Sequence, residues 1–282
     1  MIRKPAVAGT FYSEDRKSLE NQIEKCFLHP LGPGKIPNLS SKREGKILGL
    51  ISPHAGYVYS GPVAAWGFYE VIQDKIPDTV VILGPNHRGF GAPIALASEE
   101  EWETPLGKVS IDGSLANELL KIAPSIVQRD NEAHRREHSL EVQIPFLQYG
   151  YGEAFKILPI CMIDQSGESS RKLGEALSQI VKEKNILIVA STDLTHYQPQ
   201  QTAEREDKTI IEAILSLDYR NLGKLTSKYY FSMCGPGPVM SMLVATSLAG
   251  AKKVRLLKHA TSGDITGDYR AVVGYTSLVV EK

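Results

Sequence analysis

The sequence predicts an α/β fold, in which a mostly parallel or mixed central sheet carries helices on both of its faces. Two observations support this prediction. Short, continuous apolar runs of strand length recur along the 282 residues, and segments with helical apolar periodicity separate most of them. This alternation is typical of βαβ units, whose strands are covered on both faces. No break in composition divides the chain, so we interpret residues 1–282 as a single domain.

In chain order, the first predicted element is a helix at about 18–27, and a surface connection rich in Pro, Gly and Ser follows at 28–45. Strands and helices then alternate. The predicted strands are 46–51, 78–84, 155–162, 185–190, 253–260 and 269–280. The predicted helices are 62–72, 115–122, one that carries Leu173, Leu177, Ile180 and Val181, one that carries Ile210, Ile211, Ile214 and Leu217, and one at about 238–249. The acidic stretch 99–107, "EEEWETPLG", is interpreted as a loop near the strand ends.

Charge and cysteine content argue against several classes of protein. Lys plus Arg and Asp plus Glu both number 32, and this zero formal charge disfavours a nucleic-acid partner. No apolar run approaches the ~18 residues of a membrane span, and the first residues lack a secretory signal. The three cysteines are widely spaced and form no CxxC motif. We therefore expect a cytoplasmic protein that binds neither nucleic acid nor membrane.

Three predicted strands are each followed closely by a histidine. "ILGLISPH" ends at His54, "VVILGPNH" ends at His87, and "ILIVASTDLTH" ends at His196, with Asp193 three residues earlier. The carboxyl ends of parallel strands share one edge of the sheet, where ligands bind in α/β folds. We expect the three rings to meet there, although an exposed loop histidine is the alternative for each one.

Cys234 is a fourth candidate. It lies in "FSMCGPGPVM", a rigid turn before a helix, whose dipole is expected to lower the thiol pKa. A small buried residue is the alternative. Imidazole and thiolate suit Fe(II), Cu or Zn(II), so His54, His87 and Cys234 are predicted metal ligands. His196 is either a fourth ligand or an acid/base catalyst, and Asp193 either orients His196 or binds the metal directly.

The stretch "NEAHRREHSLEVQIPFL" places His134, His138 and Glu141 at helical spacings of four and three. We interpret it as a solvated charged face. The alternative is that Glu137, His138 and Glu141 line the crevice or support its ligands. We interpret His29 and His259 as structural, because neither has a matching context.

Eight segments, taken in order, resemble the Memo family, named after a mediator of ErbB-driven cell motility. They are "PAVAGTFY", "SPHAGYVYSG", "LGPNHRG", "WETPLG", "REHSLEVQIPFL", "STDLTHY", "MCGPGP" and "SGDITGDY". They span essentially the whole chain, which is most similar to microbial, archaeal members. The resemblance implies a fold like that of class III extradiol dioxygenases, which are non-haem iron enzymes. It also implies a cleft with bound copper or iron, formed by His54, His87, Cys234 and His196 with Asp193 alongside.

The resemblance further implies partners among radical-SAM and AMMECR-type proteins. Cys234 departs from the dioxygenase pattern, because it stands where those enzymes have a carboxylate ligand. A thiolate is softer than a carboxylate and favours Cu(I) or Zn(II), so extradiol ring cleavage is not expected.

Three functions fit these residues. The first is a metal-dependent oxidoreductase that acts on a small substrate, with His196 as acid/base. The second is a vestigial module that binds a peptide or protein partner in the same cleft, using Tyr57 and Tyr59 as contact residues. The third is covalent catalysis by Cys234 with His196 as base.

Overall fold

A mixed sheet lies at the centre of the computed structural model, which describes residues 1–38, 45–228 and 231–282. The predicted connection at 28–45 falls partly outside these residues. The strands are β1 Ile2–Arg3, β2 Ile47–Ser52, β3 Thr79–Pro85, β4 Ile94–Leu96, β5 Glu101–Thr104, β6 Gly107–Ser110, β7 Gln128–Arg129, β8 Lys156–Met162, β9 Ile186–Ser191, β10 His196–Gln198, β11 Lys253–Thr261 and β12 Val272–Glu281. The helices are α1 Arg16–Leu28, α2 Tyr57–Gln73, α3 Gly113–Ile122, α4 Ile144–Tyr151, α5 Gly167–Glu183, α6 Gln200–Leu215, α7 Tyr219–Lys228, α8 Pro236–Leu248 and α9 Ser262–Thr266.

The described part of the chain contributes nine strands to the main sheet, in the order β10-β12-β2-β9-β3-β8-β4-β7, with β11 paired to β12. The strands β2, β9, β3 and β8 run parallel to one another. β12 joins β2 in the antiparallel sense, and β4 joins β8 in the same way. The prediction of a mostly parallel or mixed sheet is therefore confirmed as a mixed sheet.

Helices cover both faces of this sheet, as predicted. Every residue of β3 and β9 is buried, which a strand needs when both of its faces are covered. Alternate strand residues belong to two different apolar cores. Val81 and Leu83 pack with α3, α5, α6 and α8, whereas Val80 and Ile82 pack with α1, α2 and α4.

Two predicted elements differ from the structure. α2 begins at Tyr57, so Pro62 lies inside the helix and does not open it. The stretch 99–107 is not a loop, because β5 and β6 form an antiparallel pair there and β5 also pairs with β1. Trp102 is fully buried in β5, which explains why this acidic stretch adopts a regular structure. Within residues 1–38, 45–228 and 231–282, no helix combines the length and apolar character that crossing a bilayer requires.

Candidate functional site

The carboxyl ends of β2, β9 and β3 lie side by side, and four of the predicted site residues follow them: His54, His87, Asp193 and His196. Because these strands are parallel neighbours, Ser52, Ser191 and Pro85 end them at one edge of the sheet. His54 and His87 follow two residues after β2 and β3, as the strand-end argument predicts. The ring centroids of His54 and His87 are 5.1 Å apart.

His54 is buried, and its hydrogen bonds fix its tautomer. Its Nδ1 lies 2.7 Å from Ser191 Oγ. That hydroxyl donates its only proton to the Ser139 carbonyl at 2.7 Å and accepts from the Gln143 amide at 2.9 Å. His54 Nδ1 must therefore carry the proton that the ring donates to Ser191, which leaves a lone pair on Nε2.

His87 is held in the same way by a buried carboxylate. Its Nδ1 donates to Glu137 Oε1 at 2.9 Å, and its backbone N–H donates to Oε2 at 2.6 Å. The backbone N–H groups of His138 and Ser139 also donate to Glu137. Burial opposes ionisation of Glu137, but His87, His138 and these backbone donors outweigh it and lower the carboxyl pKa to about 2. Glu137 is thus a fixed negative charge behind the ring.

His138 completes a cluster with His54 and His87. Each of the three rings offers a nitrogen within 4.8 Å of the others, close enough to share one metal ion. Burial lowers the pKa of His138 to about 4. Burial, followed by the other rings, lowers the pKa of His54 well below its ordinary value. Both rings are therefore neutral near pH 7, which is the form that binds metals.

The stretch that contains His138 is not the solvated helical face that its charges suggested. Turns occupy 132–136, and a single 3₁₀ turn covers Glu141–Gln143. His134, Glu137 and Glu141 are all fully buried. The alternative interpretation is correct for Glu137, which supports His87 directly. One sequence signal pointed this way, namely two histidines and two acids crowded into eight residues.

Glu141 acts at a distance, because it joins this stretch to the start of the chain. Its carboxylate pairs with Arg3 at 2.7 Å and accepts from the Ala6 and Val7 backbones and from the Tyr12 hydroxyl. Arg3 also donates to the His134 and Glu137 carbonyls. Those two bonds measure 2.8 and 2.9 Å. The first strand therefore braces the turn that carries Glu137 and His138.

Cys234 lies against His54, with its Sγ 3.2 Å from His54 Nε2. The Asp193 backbone N–H donates to the same sulfur at 3.0 Å. The expected lowering of the thiol pKa is wrong, because burial, and then the charge of Asp193, raises it. Desolvation outweighs the dipole of α8, so the thiol keeps its proton, and this disfavours a free nucleophilic thiolate.

His196 is oriented by backbone carbonyls. Its Nδ1 lies 2.8 Å from the Leu194 carbonyl and 2.9 Å from the Ser232 carbonyl, so this nitrogen carries the proton and Nε2 keeps a lone pair. Asp193 accepts from the His54 backbone N–H at 2.8 Å. Burial raises the pKa of Asp193 to about 6, against the opposing effects of the His54 backbone, His196 and His87.

The loop that carries Asp193 and His196 is clamped from behind. The Leu194 N–H donates to the Gly274 carbonyl, and the Gly274 N–H donates to the Thr195 carbonyl, both at 2.8 Å. Buried Asp207 accepts from the Thr195 N–H at 2.9 Å and lies 2.7 Å from His259 Nε2. His259 is thus structural, as predicted, and it supports the site loop through Asp207.

The sequence profile of the Memo-like protein family matches residues 3–279. A "MEMO1 family protein" of Ignicoccus hospitalis is 46% identical over 280 residues, which are 99% of this chain and 98% of that protein. A protein of the same name from Thermotoga maritima is 48% identical over 282 residues, covering 99% of this chain and 100% of that one.

Among solved structures, the chain is similar to the uncharacterized protein JW3007 from Escherichia coli K12. The TM-score is 0.56 at 14% identity, and the match covers 83% of this chain and 100% of that one. At this identity the likeness concerns the fold alone. The family profile and the two relatives show that this chain belongs to the Memo-like protein family.

Proposed function

We propose that the cleft binds one transition-metal ion, Fe(II), Cu or Zn(II), and acts on a small substrate as a metal-dependent oxidoreductase. His54, His87 and Cys234 are the proposed ligands, His138 is a candidate for the same shell, and His196 is either a further ligand or the acid/base group. The observation that carries this proposal is the cluster of three rings whose nitrogens lie within 4.8 Å of one another.

The orientation of the His54 and His87 rings suits such an ion, whereas Cys234 and His196 lie outside the group of three rings. His54 Nδ1 donates to Ser191 and His87 Nδ1 donates to Glu137, so both Nε2 atoms keep a lone pair, and that of His54 faces the Cys234 thiol. Metal-binding histidines in proteins are oriented in this way by a partner on the second nitrogen. Cys234 Sγ adds a soft donor within 3.2 Å of His54 Nε2. Mixed imidazole and thiolate shells suit Cu and Zn(II) as well as iron.

A bound ion would supply polarisation of a substrate oxygen and, for Fe or Cu, electron transfer. The chain's own groups handle protons. Cys234 keeps its proton in the metal-free protein and must release it on binding, so metal uptake acidifies the solution. His196 Nε2 is the proposed proton acceptor, with its ring fixed by two carbonyls. Asp193 adds a carboxylate whose charge acts on Cys234.

We further propose that this cleft is related to that of class III extradiol dioxygenases without sharing their reaction. The thiol of Cys234 takes the place of the carboxylate that leaves open positions on iron in those enzymes. Thiolate ligands are also oxidised by oxygen, which a ring-cleaving site would have to avoid.

Elemental analysis of protein purified without oxygen tests the proposal. The wild-type chain should hold about one equivalent of Fe, Cu or Zn. The double variant His54→Ala/Cys234→Ala should lose it, and His29→Ala is the matched control, since His29 lies outside the cluster. Full metal content in the double variant would refute the assignment. His138→Ala, studied with Co(II) and its thiolate absorption band, separates the role of His138 from that of Cys234.

A second candidate is binding of a peptide or protein partner, including radical-SAM or AMMECR-type proteins, at the same cleft. Tyr59 is 44% exposed and favours it. Tyr57 does not contribute, because it is buried and its hydroxyl donates to the Val142 carbonyl. Partner binding that survives the double variant would favour this function over the first.

A further inference from the structure

Two non-glycine residues within residues 1–38, 45–228 and 231–282 have a left-handed backbone, and they are Tyr197 and Leu217, each with φ 58°. Such a conformation is unfavourable for a residue with a side chain, with Asn and Gly the tolerant exceptions. Each case therefore needs a compensating interaction.

The compensating interaction of Leu217 is evident. It follows α6, where its N–H donates to the Ile214 carbonyl at 3.0 Å and the Asp218 N–H donates to the Ala213 carbonyl at 3.2 Å. This pair of bonds is the Schellman arrangement that ends many helices with a left-handed residue. The Leu217 side chain also packs against the apolar core. Helix capping and burial together account for its backbone.

Tyr197 has no comparable compensation from its side chain. It is the extra residue of a bulge, because His196 pairs with Val273 and Gln198 pairs with Val272, its immediate neighbour. The bulge serves His196, whose N–H donates to Ser232 Oγ at 2.7 Å. Bulges next to active sites commonly redirect a side chain in this way. Asn or Gly would meet the same backbone demand at lower cost.

Tyr197 is 76% exposed, and the centroid of its ring lies 5.8 Å from that of the His196 ring. After burial, the charges of Asp193, Tyr59 and Tyr197 act to raise the pKa of Tyr275. The ring of Tyr197 thus stands exposed next to that of His196.

We propose that Tyr197 is a specificity-determining residue, whose ring packs against a flat, ring-bearing part of the ligand held at the candidate metal centre. This inference rests on the proposed function. Offset or edge-to-face contact between two aromatic rings contributes about 0.5–1.5 kcal/mol beyond area burial. A contact that forms only when a ligand is bound explains why the Tyr197 ring is exposed here. It also explains why a tyrosine stands at a backbone position that Asn or Gly would occupy at lower cost.

Two hydroxamates test the inference, since benzohydroxamate and acetohydroxamate share one chelating head and differ in a phenyl ring. Their dissociation constants are measured by calorimetry on metal-loaded wild type, Tyr197→Asn and Tyr197→Phe. In Tyr197→Asn we expect the preference for benzohydroxamate to fall about threefold to tenfold, with acetohydroxamate affinity and metal content unchanged. Tyr197→Phe should keep the preference. Tyr197→Asn should also melt at an equal or higher temperature than wild type, because its backbone is less strained.

An unchanged preference in Tyr197→Asn overturns the inference while leaving the metal proposal intact. An equal loss of affinity for both hydroxamates also overturns it, because Tyr197 would then act on the metal site and not on the phenyl ring of the ligand. A wild-type protein without metal overturns the proposed function and this inference with it. Elemental analysis of the wild type distinguishes that outcome from the other two.

Discussion

Replacing Glu141 by Gln tests the brace between the start of the chain and the cleft. The substitution keeps the shape of the side chain but removes its charge, and Arg3 is then left buried without a carboxylate. The amide can also accept fewer of the hydrogen bonds from Ala6, Val7 and Tyr12. Breaking one partner of a buried ion pair costs about 3–5 kcal/mol, and we expect a loss of this size.

Urea denaturation gives the free energy of unfolding for this comparison. The matched control is Glu103→Gln, which removes the surface pair between Lys4 and Glu103 on the same segment. An exposed pair of this kind contributes at most about 1 kcal/mol, so the control should be close to wild type. If Glu141→Gln costs no more than the control, the brace is not a source of stability and the reasoning fails.

Three further predictions concern the cleft and its support. Ser191→Ala removes the acceptor that fixes His54, so metal affinity measured by competition with a chelator should fall about 10–100-fold, and wild-type affinity would contradict the proposed tautomer. Burial lowers the pKa of His134 to about 3. The contribution of this histidine to stability is therefore fully present above its ordinary pKa near 6.5 and is lost as the pH drops towards 3. Urea denaturation should show about 3 kcal/mol lost to this group between pH 7 and pH 4, and His134→Gln should lose correspondingly less. Gly274→Ala would place a Cβ 1.9 Å from Asp207 Oδ2, so thermal unfolding should show about 1–3 kcal/mol of destabilisation. An unchanged melting temperature would mean that Asp207 can move away from the new methyl group without loss of stability.

The strand-end argument predicted much of the fold and placed His54 and His87 correctly at one edge. It worked because buried parallel strands have continuous apolar runs, and their carboxyl ends must share an edge when the strands are neighbours. The order of the strands in the sheet could not be predicted by this argument. Nothing local in residues 272–281 indicates that β12 pairs with β2 and β10, because those pairings join distant parts of the chain.

The arrangement around His138 could also not be predicted from the local sequence pattern. A run of charges next to histidines usually faces solvent, and only partners more than 100 residues away, such as Arg3 for Glu141, make it buried. The thiol pKa of Cys234 was misjudged for a related reason. The dipole of a nearby helix can be inferred from sequence, whereas desolvation depends on the packing of the loop at Asp193 around the sulfur.

The position of β12 has a consequence for the timing of assembly in the cell. A ribosome makes Val272–Glu281 after the other strands of the main sheet that the structure describes, yet Gly274 in this strand holds the loop that bears His196. A nascent polypeptide can therefore display His54 and His87 long before it can complete the pocket around them. The proposed metal uptake should thus follow translation of this strand, and ribosome-bound chains stalled upstream of it are expected to bind no metal.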